Sequence, residues 1–207
     1  MDRVNRAFTS FIFHVHIAFI FQSIIVYLSC RYPSIKLLFY ATVWTLIIQE
    51  IYYISELLKY YKKEWIDTKI LQNISWASSV YILSFWIFRY IYHWKDNSPI
   101  WLEILAHGAN SVIIALTVFM DSKISWSTLR WSYLYFSSYL IAAIVYTNVT
   151  ESSIYPTNFF SFSDLPKLSI SLLSVIFWPP IAIWLGLNLF KKRKLKDDDQ
   201  YEMLDLI

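Results

Sequence analysis

Two glycines and one cysteine are all that the 207 residues contain of either kind. With so little glycine there is no Gly-rich loop to cradle a phosphate, which excludes a Rossmann domain and a P-loop enzyme. The lone Cys30 excludes a disulfide framework and a Cys-based zinc site. Charge is scarce too, at 16% of residues, against about 25% in a soluble globular chain. The net charge of +3 is too small for a nucleic-acid binder, and the basic residues do not line one soluble face. No metal and no cofactor is expected from this inventory. What is abundant is apolar: 57% of residues are hydrophobic and 20% aromatic. The solvent that such a chain matches is lipid.

The charges fall in clusters separated by apolar runs. A spanning helix needs about 20 mainly apolar residues. Six runs qualify: Ala7–Cys30, Lys36–Leu58, Ile74–Trp94, Pro99–Met120, Leu129–Val149 and Leu168–Phe190. A barrel strand would alternate apolar and polar residues over about 10 positions. Leu172–Ile183 does not alternate, so the expected fold is an all-α polytopic bundle. The first run is too long for a signal-peptide core, and Cys30-Arg-Tyr-Pro33 is no small-residue cleavage site. Orientation follows from Lys and Arg by side. Arg3, Arg6, Lys59, Lys62, Lys63, Lys69, Lys123, Arg130, Lys191, Lys192, Arg193, Lys194 and Lys196 share one side, against Arg31, Lys36, Arg89, Lys95 and Lys167 on the other. The bias places both termini in the cytoplasm. The chain is then one six-span domain over 1–190 and a charged cytoplasmic tail over 191–207. The tail's basic half is suited to anionic lipid, and its acidic half is expected to be disordered.

Polar groups inside a span face the bundle interior, a cavity or a site. In the second run Thr42, Thr45 and Gln49 lie at i, i+3 and i+7, one helical face that Glu56 continues. In the fourth, Glu103, His107, Asn110 and Ser111 lie at i, i+4, i+7 and i+8. Both helices enter from the non-cytoplasmic side in this topology, and at 1.5 Å per residue Thr42 and His107 lie roughly 9 and 12 Å in. A Thr hydroxyl becomes a nucleophile when a base takes its proton. His107 has the chemistry of that base, and Glu103 could fix its tautomer. Thr45, Asn110 or Ser111 could donate to an oxyanion. The bland reading stands beside this one: a Thr in a membrane helix bonds its own backbone, and an intramembrane His joins helices. Spacing alone leaves both open.

Weaker features are His14 and His16, which point to different faces, and Arg89 with His93, which suit an outer interface. Glu50 lies off the Thr42 stripe. Trp178-Pro179-Pro180 should interrupt the sixth helix, with the freed carbonyls satisfied inside the bundle. The sequons at Asn73 and Asn148 are poor acceptors by position.

The same residues carry a resemblance. Thr42-Val-Trp-Thr-Leu-Ile-Ile-Gln49, Ala106-His107-Gly108-Ala109-Asn110-Ser111 and Ile154-Tyr155-Pro156 follow in that order among the six apolar runs. Over nearly its whole length the chain resembles the family of the androgen-induced gene 1 protein and the androgen-dependent TFPI-regulating protein, and its shorter fungal members. Animal members are threonine hydrolases of fatty acid esters of hydroxy fatty acids. The resemblance implies Thr42 as nucleophile, seven residues before Gln49. The family's fourth-span motif is of the type Asn-His-Gly-x-His-Thr, with the second His catalytic. Here His107 matches the first His, and Asn110 stands where the second is expected. Asn is no base near neutral pH, so either His107 takes over with help from Glu103 or the chain no longer hydrolyses such esters. Three functions compete: a hydrolase taking a hydrophobic lipid ester from the bilayer, a non-catalytic lipid-binding or adaptor protein, and a small transporter or channel. Membrane lipids are the expected partners. The endoplasmic reticulum membrane is the expected location, with the plasma membrane second.

Overall fold

The computed structural model of the chain describes residues 14, 15, 17, 18, 20, 24, 25, 27, 35–60, 67–91, 104–152, 154 and 159–204. Among them every regular element is helical and there is no strand. A short 3-10 turn, Ile35–Phe39, leads into α1, Ala41–Tyr60. Helix α2 is Thr68–Ile91. A π-helical turn, Ile104–Ala109, runs directly into α3, Asn110–Met120. A 3-10 turn at Trp126–Thr128 precedes α4, Leu129–Thr150, and α5 is Leu165–Leu204. The expected first span falls almost wholly outside the described residues, as do Glu103, His16 and His93. Among the described residues one helical segment is long and apolar enough to cross a membrane, Leu165–Leu189, at a mean hydropathy of 1.9. His107–Met120 is a shorter apolar helix.

Helix α2 is the hub. It packs against α1, α3, α4, α5 and the π-turn, and every residue from Leu71 to Ser79 is buried. That stretch is polar, with Gln72, Asn73, Ser75, Ser78 and Ser79 among its members. The outward faces are apolar instead. Ile47, Ile51 and Ile54 are exposed along α1, Leu134, Ile141 and Val145 along α4, and Ile170, Leu173, Phe177, Ile181 and Trp184 along α5. Between the two lies an apolar core with Leu46, Tyr53, Trp76, Ile114, Val118 and Ile183.

Several boundaries differ from the sequence reading, each for a local reason. The expected loop Lys59–Asn73 is helical from Thr68, because the Asp67 carboxylate accepts from Lys69 N at 2.9 Å and caps the new helix. Helix α5 starts at Leu165 rather than Leu168. Asp164 caps it by accepting Lys167 N at 3.3 Å, and Pro166 sits in the first turn, where a missing N–H costs nothing. Pro179 and Pro180 lie inside a continuous helix. Pro180 deprives the Ile176 carbonyl of its helical donor, and the Tyr133 hydroxyl of α4 donates to it at 3.0 Å. The tail expected to be disordered continues α5 to Leu204, with no glycine or proline after Gly186 to stop it.

Gly186 is required by this packing. Trp76 Nε1 donates to the Ala182 carbonyl at 2.7 Å, drawing α2 and α5 together. A Cβ at 186 would lie 2.5 Å from Ile124 Cδ1 and 2.8 Å from Trp76 Nε1. Gly186→Ala is expected to destabilise the bundle by about 1–3 kcal/mol, read as a lower thermal midpoint in detergent. An unchanged midpoint would mean that the two helices separate freely there.

Candidate functional site

Thr42 occupies the first turn of α1, where Val43 N and Trp44 N both reach back to the Tyr40 carbonyl, at 3.0 and 3.3 Å. Its Oγ1 lies 3.4 Å from Nδ1 of His107, 65 residues away in sequence. With the imidazole proton on Nε2, Nδ1 accepts from the Thr42 hydroxyl. The separation is at the long end of a hydrogen bond, as nucleophile–base contacts commonly are before substrate tightens them. His107 lies on the π-turn, a distortion that recurs at functional sites. The Trp86 ring of α2 lies nearly parallel to its imidazole, with centroids 6.4 Å apart and planes at 30°. Thr42 and His107 are both half-buried.

A seam of buried polar groups runs inward from the pair. Ser111 Oγ is 2.7 Å from the His107 carbonyl, 3.0 Å from Asn110 Oδ1 and 3.3 Å from the Ser79 carbonyl. Its one proton serves the nearest, so Ser111 steadies the turn that carries His107. Asn110 is fully buried beside it. On α1, Gln49 Nε2 donates to Ser79 Oγ at 2.5 Å, and Ser79 Oγ donates in turn to the Ser75 carbonyl at 2.7 Å. Thr45 is buried beside the Tyr135 hydroxyl, as is Ser78. Of the residues singled out by sequence, the structure brings Thr42 and His107 together, places Asn110 and Ser111 directly behind His107, and sets Thr45 and Gln49 against α4 and α2. Helices α1 and α3 meet again further along. Tyr53 Oη lies 2.8 Å from Thr117 Oγ1, and since that hydroxyl donates to the Ile113 carbonyl at 3.0 Å, Tyr53 is the donor.

The other end of the bundle holds a network that the sequence reading missed. Lys123 Nζ lies 2.6 Å from Glu56 Oε1 and 3.0 Å from Asp121 Oδ2. Lys59 pairs with Glu56 at 3.3 Å and also donates to Thr68. Burial pulls the Lys123 ammonium down, but its bond to Glu56, reinforced by the charges of Glu56 and Asp121, outweighs this and holds it above the ordinary lysine value. A raised lysine contributes stability fully below its unfolded pKa and loses it as pH rises through the folded one. The stability difference between the parent and Lys123→Met should therefore be the same at pH 7 and pH 9. A difference that shrinks over this range in thermal melts would place the lysine pKa lower.

Two fully buried amides on α2 fasten the segment that carries Lys123. Gln72 Nε2 donates to Tyr52 Oη at 3.0 Å and to the Asp121 carbonyl at 2.8 Å, while its Oε1 accepts Lys123 N at 2.6 Å. Asn73 Nδ2 bridges the carbonyls of Lys69 and Lys123, at 2.7 and 3.0 Å, and Asn73 Oδ1 accepts Ser125 N at 3.0 Å. Asn148 repeats the pattern on α4. Its Nδ2 bridges the carbonyls of Ile144 and Phe160, at 2.8 and 2.9 Å, and its Oδ1 accepts Phe162 N at 3.0 Å. Both sequon asparagines are thus loop clamps. The signal that could have found α2 is the run Gln72-Asn-Ile-Ser-Trp-Ala-Ser-Ser79, too polar for a lipid face and too close to an apolar run for a loop.

Of the lesser candidates, the His14 ring packs against Tyr53 with centroids 5.8 Å apart. Glu50 is half-buried, and its Oε2 has no partner among the described residues. No group of three or more His, Cys, Asp or Glu among the described residues could hold a metal ion. Comparison with family models, curated proteins and solved structures finds no match to this chain.

Proposed function

We propose that this chain is a six-span membrane protein, with both ends cytoplasmic, that hydrolyses lipid esters through Thr42 and His107. The membrane reading is supported by the inverted polarity of the bundle. Gln49, Gln72, Asn73 and Asn110 are fully buried while Ile, Leu, Phe and Trp side chains cover the outside, which suits hydrocarbon as the surrounding solvent. The observation that carries the hydrolase reading is the Thr42 Oγ1–His107 Nδ1 contact at 3.4 Å.

In this reading His107 takes the hydroxyl proton as Thr42 Oγ1 attacks the ester carbonyl. His107 then gives that proton to the departing alcohol, leaving an acyl ester on Thr42. Water, deprotonated by the same imidazole, attacks the acyl carbon, and the proton passes from His107 to the departing Thr42 Oγ1 as the fatty acid is released. Thr42 lies in the first turn of α1, so the amide end of the helix favours the oxyanion. Asn110, Ser111, Thr45 and Gln49 are buried within the bundle and serve as positioning residues. The resemblance noted above names the substrates: fatty acid esters of hydroxy fatty acids, met in the endoplasmic reticulum membrane.

Two measurements test this. A fluorophosphonate probe should leave its adduct on the peptide that contains Thr42, and an adduct elsewhere or none in folded protein would remove the hydrolase reading. Reporter fusions after Lys69 and after Lys196 should read cytoplasmic, and one after Tyr155 lumenal. A lumenal tail would overturn the orientation. A second reading, a lipid-binding protein without catalysis, is favoured by Asn110, which stands in the expected catalytic His position and is buried against Ser111. Asn110→His separates the two. Ester hydrolysis in the variant and none in the parent would mean that the scaffold was kept and the chemistry lost.

A further inference from the structure

Helices α1 and α2 run antiparallel and are cross-linked through polar side chains. Gln49 Nε2 donates to Ser79 Oγ, and further toward the Glu56–Lys123 end Gln72 Nε2 donates to Tyr52 Oη. Ser75 lies four residues from Ser79 and three from Gln72 on one face of α2, so its level is the one between these two bonds. A serine within a helix commonly donates to the carbonyl four residues back, as Ser79 does to Ser75 and Ser111 to His107. Ser75 is fully buried, yet its Oγ has no partner among the described residues. Gln49 is fully buried too, its amide lies in this seam through the bond to Ser79, and its Oε1 is likewise without a partner among the described residues. Exchanging the amide O and N does not satisfy it. The oxygen would then face Ser79 Oγ, whose proton goes to the Ser75 carbonyl, and the nitrogen would be the atom left over. Tyr52 supplies a third group. Its Oη accepts from Gln72, and its own proton has no acceptor among the described residues.

We propose that Gln49, Tyr52 and Ser75 form an internal water-binding site between α1 and α2. The water accepts the hydroxyl protons of Tyr52 and Ser75 and donates to Gln49 Oε1. Three hydrogen bonds are what a buried water typically makes. The occupant has to accept two hydrogen bonds and give one, which no hydrocarbon segment of a lipid does. A bare cation has nothing to donate and meets no free charge, because the nearest carboxylate along this stripe, Glu56, is already held by Lys123 and Lys59. The water closes the seam at the level between the Gln49–Ser79 and Tyr52–Gln72 bonds, so the hub helix is held to α1 by three successive polar links. Gln49 is two turns from Thr42, about 10 Å along α1. The site is therefore separate from the Thr42–His107 pair and does not depend on any hydrolysis there.

The test is X-ray radiolytic labelling of the full-length protein in detergent. Radicals form from water itself, so a buried side chain is labelled when an ordered water lies beside it. Tyr53 is the internal control, since it is as buried as Tyr52 and its hydroxyl donates to Thr117. Tyr52 should be labelled at least about 5-fold faster than Tyr53 in the parent. Equal rates would overturn the proposal. Ser75→Asn brings an amide nitrogen to the place of the water, where it donates to Gln49 Oε1, and should bring Tyr52 down to the rate of Tyr53. An excess that persists in this variant would overturn the assignment to Ser75. Thermal melts read the polarity and room of the site without labelling. Ser75→Asn should melt within about 3 °C of the parent, and Ser75→Leu, of similar volume but with nothing to donate, well below both. A Ser75→Asn protein that melts with Ser75→Leu would show a dry, filled seam and overturn the proposal.

Discussion

Thr42→Ala is expected to abolish both fluorophosphonate labelling and ester hydrolysis while leaving the thermal midpoint within about 2 °C of the parent. Thr42 is half-buried and has one cross-helix polar contact, the 3.4 Å approach to His107, so little folding energy goes with its hydroxyl. The chemical loss is expected to be complete because the other two hydroxyls of the polar stripes among the described residues are engaged elsewhere or buried. Ser111 is buried and directed to the backbone of His107 itself, and Thr45 is buried. In the proposed mechanism His107→Ala removes the base rather than the nucleophile, and it should lower the rate about 10²–10⁴-fold. His107→Gln retains a similar volume beside Trp86 and should be as inactive, which separates proton transfer from packing. Thr42→Ser should keep measurable activity. Activity that survives both Thr42→Ala and His107→Ala would place the nucleophile elsewhere.

The largest loss of stability is expected from Gln72→Leu. Its side chain fits the space of Gln, yet the substitution strands three partners at once: the Tyr52 hydroxyl, the Asp121 carbonyl and the Lys123 amide. A buried group left unsatisfied costs about 1–3 kcal/mol, and relaxation of the segment recovers part of it. A net loss of roughly 3–5 kcal/mol follows, which lowers the thermal midpoint of a chain this size by about 10 °C. The Lys123–Glu56 pair should weaken with it, because Lys123 is carried by the same segment. Gln72→Leu and Lys123→Met together should therefore cost less than the sum of the two alone. Strict additivity in a double-mutant cycle would show that the amide and the ion pair act independently.

The apolar runs made the helices legible. Leu129 opens α4 and Met120 closes α3, where apolar periodicity meets polar turn residues. Thr42 and His107 were legible as members of two polar stripes, and their meeting needed only that two helices lie face to face. What was not legible is the polarity of α2. Gln72 and Asn73 read as loop residues because their partners, the backbone of residues 121–125, lie about 50 positions later in the chain, and no local rule connects them. Asp67 and Asp164 are ordinary caps, but beside clusters of polar residues they give no unique start. The tail was read as disordered from its charge, although charge alone does not end a helix that meets no glycine or proline.

The two asparagine clamps impose an order on biosynthesis. The Asn148 amide finds Phe160 and Phe162 within 14 residues of itself, so at translation rates of about 5–20 residues per second it closes in roughly 1–3 s. Asn73 waits for Lys123 and Ser125, 50 and 52 residues on, or roughly 3–10 s at the same rates. For that interval α2, the hub of the finished bundle, is a helix with its most polar turns unanswered. A nascent chain halted before residue 125 should be a client for quality control, and one released after it should not.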